Sequence, residues 1–190
     1  MRDLILREAT RMFIEEGYEK TSIRSIADRI EYSPATIYLY FKDKDEMFFV
    51  IHEQGFEKFL AKLEKTSAIE HPYERLFTMG NLYLKFAFDH PEYYDLMFII
   101  RAPMNKIAKD GEWQCGRECF DFFRNTVREC IEKGYMKPIS VDVAAFSILS
   151  FMHGMASLAI RERFEMYTQE QVKQLMEGSI KMMLGLLENK

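Results

Sequence analysis

The sequence predicts an all-α fold. Apolar residues recur at helical spacing along most of the 190-residue chain, and capping and stop residues divide it into eight to ten such segments. No segment alternates apolar and polar residues in the manner of a half-buried strand. A chain of this length can bury the core of one large or two small domains.

Composition narrows the class of protein. The formal net charge is −4, so attraction to nucleic acid is not a property of the whole chain. The 16 Phe, 10 Tyr and 13 Met indicate a bulky core or an adaptable apolar cavity within it. Charged residues are expected to interrupt every apolar run, and the N-terminal segment lacks a signal-peptide core. We therefore expect a cytoplasmic protein that does not span a membrane.

The first predicted helix covers residues 2–16 and stops at Gly17. Two short helices joined by a tight turn follow between Thr21 and Lys44. The first of these carries an apolar stripe formed by Ile23, Ile26, Ala27 and Ile30. The second opens at Ser33, whose hydroxyl can cap the backbone, and at Pro34, which has no N–H to leave unpaired.

This second short helix has the layout of a DNA reader. Ile37 and Phe41 are expected to turn inward, since they lie four residues apart. Small side chains can approach base edges, whereas tyrosine hydroxyls and a lysine can reach phosphates. From Lys20 to Lys44 there are five basic and three acidic residues, a local balance of +2. The outward positions on the first two turns are Ala35, Thr36, Tyr38 and Tyr40.

Three stretches of the first quarter of the chain resemble the DNA-binding domain of TetR-family (tetracycline-repressor-like) transcription regulators. They are Gly17-Tyr18, Ser22 to Ala27 and Ser33 to Met47. One departure lies at the turn, where the family usually has Gly and a small aliphatic residue and this chain has Glu31 and Tyr32. A positive φ at Glu31 would strain the turn by about 1 kcal/mol.

The resemblance implies a division into a DNA-binding domain, residues 1–46, and a helical ligand-binding and dimerisation domain, residues 47–190. An ordinary helical hairpin with the same caps is the alternative. The residues expected to contact double-stranded DNA are Arg24, Ser33, Pro34, Ala35, Thr36, Tyr38, Tyr40 and Lys44.

Six further helices are predicted in the body. A capping box of Asp43 and Glu46 opens the first of them, and a second capping box, Thr168 to Gln171, opens the last. The stretch from Arg101 to Gly111 is the least regular and is a candidate for a flexible gate. The helices are expected at residues 44–65, 73–88, 92–100, 112–134, 141–164 and from 169 onward.

An apolar or aromatic small-molecule effector is the ligand that the resemblance favours. Bulky, adaptable side chains from four predicted helices are candidates to line its cavity, although core packing explains each of them singly. These candidates are Tyr83, Phe86, Tyr94, Met97, Trp113, Phe120 and Met152.

A homodimer is expected from the last two helices. The final helix carries a heptad-like apolar stripe, and in the resembled family the last two helices of each subunit pair as a four-helix bundle. Packing within the chain is the alternative. The predicted interface comprises Gly154, Val172, Met176, Ile180, Met183, Leu184 and Leu187.

Catalytic and metal sites are not expected. The chain lacks a Gly-rich phosphate loop and a Ser-centred elbow, and its four His are scattered. Cys115 and Cys119 lie one helical turn apart and leave a metal or redox sensor open, against a packed or partly exposed thiol pair.

The preferred interpretation is therefore a homodimeric repressor without cofactor or metal. It would bind an inverted-repeat operator through the helix that starts at Ser33, and an effector would release it. The alternatives are an all-α small-molecule-binding or adapter protein without useful DNA affinity, and a helical enzyme.

Overall fold

The computed structural model describes residues 1–101 and 113–189, and every regular element in these ranges is a helix. The only β pairing there is an isolated bridge between Met136 and Glu188. The candidate gate at residues 101–111 lies outside the described residues, apart from Arg101. The α-helices are α1 (Arg2–Glu15), α2 (Ile23–Arg29), α3 (Pro34–Tyr38), α4 (Lys44–Glu64), α5 (Pro72–Asp89), α6 (Pro91–Phe98), α7 (Gln114–Glu132), α8 (Val141–Ile160) and α9 (Gln169–Leu187), with a 3₁₀ turn at Lys65–Ala68. The all-α prediction is confirmed.

The chain divides into two compact units. The first comprises Met1–Lys58 and Glu92–Gly116, and the second comprises Phe59–Pro91 and Arg117–Lys190. Helix α4 therefore passes from one unit to the other between Lys58 and Phe59. The predicted domain limit after residue 46 remains a prediction, because it concerns function along a continuous helix.

Local sequence signals mark the end of α1 and the starts of α2 and α3. Gly17 has a φ of +86°, a conformation that suits a residue without Cβ. Ser22 and Ser25 form a capping box at the start of α2. At the start of α3, the Ser33 side chain accepts a hydrogen bond from the backbone N–H of Thr36 at 3.3 Å.

The turn between α2 and α3 contains the expected strain. Glu31 has a φ of 60°, in the left-handed region that non-glycine residues seldom occupy. The backbone N–H of Tyr32 donates to the carbonyl of Ala27 at 3.0 Å, which closes the turn around Glu31. The turn therefore adopts a left-handed conformation at Glu31, where a Gly would be unstrained.

An aromatic and aliphatic core holds the first unit together. The rings of Phe13 and Phe48 lie 5.2 Å apart, and Tyr18 stacks edge-on against Phe48 at 4.8 Å. Ile37 of α3 and Leu96 of α6 belong to the same buried cluster. Burial of such side chains contributes about 1.5–3 kcal/mol each.

In the second unit, α5, α8 and α9 pack against one another. They approach closely at Gly80, where an added Cβ would lie 3.4 Å from Met152 and 3.6 Å from Ile180. A partly buried ion pair of 2.7 Å joins Arg75 of α5 to Glu129 of α7.

Two local predictions need correction. Helix α8 ends at Ile160 and not at residue 164, because Glu162 turns into the left-handed region with a φ of 55°. At the start of α4, the backbone N–H of Glu46 donates to the Asp43 carboxylate at 2.7 Å as predicted. The Glu46 carboxylate, however, accepts from the backbone N–H of Lys42 at 2.5 Å and not from that of Asp43. The capping box at Thr168 and Gln171 is confirmed.

Candidate nucleic-acid interface

Helix α3 is short and is fixed from one side. Its five residues are too few to form a stable helix alone, so tertiary packing must position it. Ile37 is completely buried and Phe41 is nearly so. Both residues therefore anchor the helix to the core of the first unit, as predicted.

The side of α3 opposite Ile37 is apolar and exposed. Ala35 and Leu39 are four residues apart and each is two residues from Ile37, so they share the outward side. Leu39 is 81% exposed, more than any other large apolar side chain in the described part of the chain. We call Ala35 and Leu39 the reading crest. Leu39 was missed in the sequence, although its spacing from Ala35 was the available signal.

The tyrosines flank the crest. Tyr38 is the last residue of α3 and is 56% exposed. Tyr40 was predicted on the second turn of the helix, but the helix has ended and Tyr40 lies in the following turn, where its N–H donates to Ile37 at 2.9 Å. Its side chain is still exposed, and Thr36 is half-buried beside the Ser33 cap.

Lys44, a predicted phosphate contact, is held by the first unit itself. Its ammonium donates to the main-chain carbonyl of Tyr18 at 2.8 Å and lies 4.0 Å from the centroid of that ring. The Tyr18 hydroxyl donates to the carboxylate of Asp45, and burial followed by this hydrogen bond raises the pKa of the phenol. Two donor positions of the Lys44 ammonium remain for a phosphate.

The basic charge of this surface is partly offset by acidic residues outside it. Arg29 pairs with Glu16 at 2.7 Å and with Glu15 at 3.4 Å. Arg24, on α2, is exposed. Lys42 and Lys44 follow the reading crest in the sequence, and Lys44 is the first residue of α4.

The seven predicted effector contacts fall into both compact units. In the first unit, Tyr94 and Met97 are buried and Trp113 is half-buried. In the second, Tyr83 and Phe86 pack on Phe59 with ring centroids 6.0 Å and 5.1 Å away. Met152 is buried near Gly80, whereas Phe120 is exposed.

A buried histidine in the first unit was missed as a candidate. His52 is 2% exposed, and its Nε2 lies 3.2 Å from the carbonyl oxygen of Met97. Its ring centroid lies 4.8 Å from that of Phe56 and 6.1 Å from that of Trp113. Phe56 in turn contacts Phe98 at 5.3 Å. We call these five residues the His52 cluster.

Four of the seven residues predicted for the dimer interface are buried within the chain, where α9 packs against α5 and α8. Their burial fits the alternative of packing within the chain, and the interface itself stays a prediction. Met183 and Leu187 are half-buried, and Gly154 has open space where a Cβ would lie. The four core residues are Val172, Met176, Ile180 and Leu184.

A different set of apolar residues on α8 and α9 is exposed. Phe146, for example, is 70% exposed. The members recur at helical spacing, on the sides of the two helices that do not face the core. We call this set the exposed apolar face: Val143, Phe146, Leu158, Leu175, Met182 and Leu186.

Helix α8 is apolar on both sides. Among the described helices it is the one that is long and apolar enough, by length and composition, to cross a membrane. The expectation that charged residues interrupt every apolar run is wrong here, because residues 143–160 contain none. Ala144, Ile148 and Met152 on one side face the core, and the exposed apolar face includes the other.

The three cysteines are not joined by disulfide bonds. Cys115 is half-buried, and Cys119 and Cys130 are buried. Burial raises the pKa of Cys130 to about 12, which disfavours the reactive thiolate. Within residues 1–101 and 113–189, no group of three or more His, Cys, Asp or Glu side chains is placed to hold a metal ion.

Comparison with known proteins links both parts of the chain to one family. Residues 5–51 match "Bacterial regulatory proteins, tetR family", and residues 76–183 match "Tetracyclin repressor-like, C-terminal domain". The HTH-type transcriptional regulator HbdR of Aromatoleum sp. (strain CIB) is 28% identical over 185 residues, 93% of this chain and 79% of that protein.

Solved structures share the fold. A protein of unknown function from Rhodococcus sp. RHA1 has a TM-score of 0.81 at 21% identity, covering 98% of this chain and 95% of that one. The fatty acid degradation regulator FadR from Bacillus halodurans has a TM-score of 0.78 at 20% identity, covering 100% and 97%. The family matches and the named regulator show that the chain is a transcription regulator and not an enzyme.

Proposed function

Because the chain belongs to the TetR family and is a DNA-binding transcription regulator, we propose that it is a homodimeric repressor. It binds an inverted-repeat operator through α3 and is released by an apolar or aromatic small molecule. As a soluble regulator of bacterial genes, it acts in the cytoplasm.

The observation that carries the DNA-binding surface is the exposed reading crest on a capped, anchored helix. Ala35 and Leu39 project from the side opposite the buried Ile37 and can approach base edges in the major groove. Tyr38 and Tyr40 lie beside them and can donate to phosphates. The Ser33 side chain caps the start of this helix by accepting from the backbone N–H of Thr36.

The exposed apolar face supports the homodimer. Soluble monomers rarely leave large contiguous apolar patches in water, and such patches commonly mark protein interaction sites. A second copy would cover Phe146, Met182 and Leu186. The dimer would then contain two reading heads, a name we give to helices α1 to α3 of each chain. Two heads related by a two-fold axis require an operator whose half-sites are inverted.

The effector is proposed to act by differential affinity. A ligand changes operator affinity only to the extent that it binds two arrangements of the protein unequally. Typical coupling free energies of 1–3 kcal/mol would change operator affinity by roughly 5- to 150-fold. Helix α4 is the element proposed to carry this coupling, because it begins at Lys44 beside the reading head and continues to Glu64.

Selection of bound fragments from random duplex DNA tests the DNA-binding proposal. The expected result is an enriched inverted repeat that binds the protein in the nanomolar range at physiological salt. Enrichment of no sequence, with only weak salt-sensitive binding, would favour the adapter alternative. Enrichment of a single half-site would contradict the two-headed arrangement.

Sedimentation of charge variants tests the dimer. Met182→Glu and Leu186→Glu should give monomers that have lost tight operator binding, since both side chains are exposed on α9. Lys173→Glu, at an exposed polar position of the same helix, should remain dimeric. Leu184→Glu should instead unfold the second unit, because Leu184 is only 1% exposed. Monomeric wild-type protein with full operator affinity would refute the dimer.

A further inference from the structure

We propose that the His52 cluster binds the hydroxyl group of a phenol-type ligand, with His52 Nδ1 accepting from that hydroxyl and Trp113 Nε1 donating to it. This inference rests on the proposed effector-responsive function and specifies the chemistry of the effector. All of the residues that carry it belong to the first compact unit.

The tautomer of His52 follows from its one hydrogen bond. A backbone carbonyl only accepts, so the His52 nitrogen that lies 3.2 Å from the Met97 carbonyl oxygen, Nε2, must carry the proton. Burial lowers the pKa of His52 to about 4, so the ring is neutral at pH 7. Nδ1 of His52 is therefore a bare acceptor.

Two complementary polar atoms of this cluster lack partners. Nδ1 of His52 and Nε1 of Trp113 are both buried, and neither has a hydrogen-bond partner among the described residues. The indole nitrogen can only donate, and the unprotonated imidazole nitrogen can only accept. A buried polar group without a hydrogen bond is destabilising, so binding of a group that satisfies both atoms is favoured.

A hydroxyl is the group that meets both requirements. It donates one hydrogen bond and accepts another, whereas an ether or ketone only accepts and an ammonium only donates. The centroids of the His52 and Trp113 rings are 6.1 Å apart, so the two unpartnered nitrogens belong to neighbouring rings.

The surroundings favour an aromatic skeleton without an acidic group. Phe56 lies against both polar rings, 4.8 Å from His52 and 5.7 Å from Trp113, with Phe98 beside it. Flat aromatic ligands pack well against such rings. The His52 ring is neutral, so the cluster offers an anionic group no positive charge to pair with.

The position of the cluster connects it with the reading head. His52 lies on α4, eight residues after Lys44 and therefore about two turns along the same helix. A ligand that bridges His52 and Trp113 would tie α4 to the segment that precedes α7. It would thereby favour one placement of the helix that begins at Lys44.

Fluorescence of Trp113, the only tryptophan in the sequence, is a site-specific readout. The full chain is titrated with phenol, anisole and toluene, which differ in whether the polar group donates and accepts, only accepts, or is absent. Phenol is expected to bind roughly tenfold more tightly than toluene and anisole. Equal affinities would show a purely apolar site and overturn the proposal.

Variants test whether His52 Nδ1 and Trp113 Nε1 cause the preference for phenol. His52→Phe and Trp113→Phe should each abolish the preference for phenol, measured by calorimetry because the second variant removes the fluorophore. His71→Phe is the matched control, since His71 also has a buried Nδ1 without a partner in the described chain but belongs to the second unit. A preference for phenol that survives in both test variants would refute the proposal. A folded wild-type protein that binds none of the three probes, and holds only a water between His52 and Trp113, would refute it as well.

Failure of this inference is distinguishable from failure of the proposed function. If the protein binds an operator but does not prefer phenol, only the hydroxyl site is wrong. If phenol binds as expected but leaves operator affinity unchanged, the site stands and the release mechanism fails.

Discussion

The ammonium of Lys44 lies 2.8 Å from the main-chain carbonyl oxygen of Tyr18 and 4.0 Å from the centroid of its ring. This contact fixes the position of a cation at the start of α4, five residues after Leu39 in the sequence, before any DNA is present. It also makes Lys44 part of the packing of the first unit.

Lys44→Ala should therefore change two quantities. Loss of the hydrogen bond and the cation–π contact should lower the free energy of unfolding by about 1 kcal/mol. Loss of one phosphate contact should reduce the slope of log affinity against log salt by about one. Lys42→Ala, which removes an exposed lysine, should leave stability unchanged in denaturant titrations. An unchanged salt slope for Lys44→Ala would mean that Lys44 serves only the fold.

Leu39 is expected to read a thymine methyl group. Replacing the thymidine beside it by deoxyuridine removes one methyl from the major groove and should weaken binding about fourfold, from about 0.8 kcal/mol per apolar carbon. Leu39→Ala should make the protein indifferent to that replacement. Competition binding with each thymidine of the selected operator replaced in turn provides the measurement, and indifference of the wild type at every position would exclude methyl readout.

Glu31→Gly should stabilise the first unit. The φ of 60° is strained for Glu and unstrained for Gly, so we expect the free energy of unfolding to rise by about 1 kcal/mol. Asp28→Gly, at an ordinary helical position three residues earlier, should lower the free energy of unfolding by a similar amount. Chemical denaturation of both variants tests the sign, and a destabilised Glu31→Gly would show that the Glu side chain compensates for the strain.

Acidification should destabilise the protein through His52. The unfolded chain takes up the proton near pH 6.5, whereas burial lowers the pKa of the folded His52 to about 4. Between these values the unfolded state binds more protons, so stability falls as pH is lowered from 6.5 to 4, by up to about 3 kcal/mol. His153, whose pKa burial also lowers, contributes with the same sign. His52→Phe should show a flatter dependence over this range, and identical profiles would refute the assignment.

Local signals in the sequence were sufficient to predict the structure of the reading head. Ser33 and Pro34 predict the start of α3 by their own chemistry, and the anomalous Glu31 predicts a strained turn. Such features depend on neighbours a few residues away, which the sequence displays directly. Leu39 was missed because a leucine in a helix is recognised as exposed only when the opposite side of that helix is known to be buried.

Long-range packing limited the prediction of the body. Helix α9 has apolar residues on two sides, and periodicity alone does not tell which side meets the same chain. Val172 and Leu184 fit a heptad stripe, yet they face α5 and α8, whereas Leu175 and Met182 remain exposed. His52 was likewise invisible, since its partner Met97 is 45 residues away in the chain.

The two-sided apolar character of helix α8 has a consequence for the newly synthesised protein. Until another molecule covers Phe146 and its apolar neighbours, each newly folded subunit can associate nonspecifically with other hydrophobic surfaces. At low protein concentration two subunits meet slowly, so each one keeps this surface exposed to water for longer and is at greater risk of nonspecific association. We would expect a peptide of residues 141–160 alone to enter detergent micelles, so biochemists who truncate the protein near α8 should anticipate insolubility.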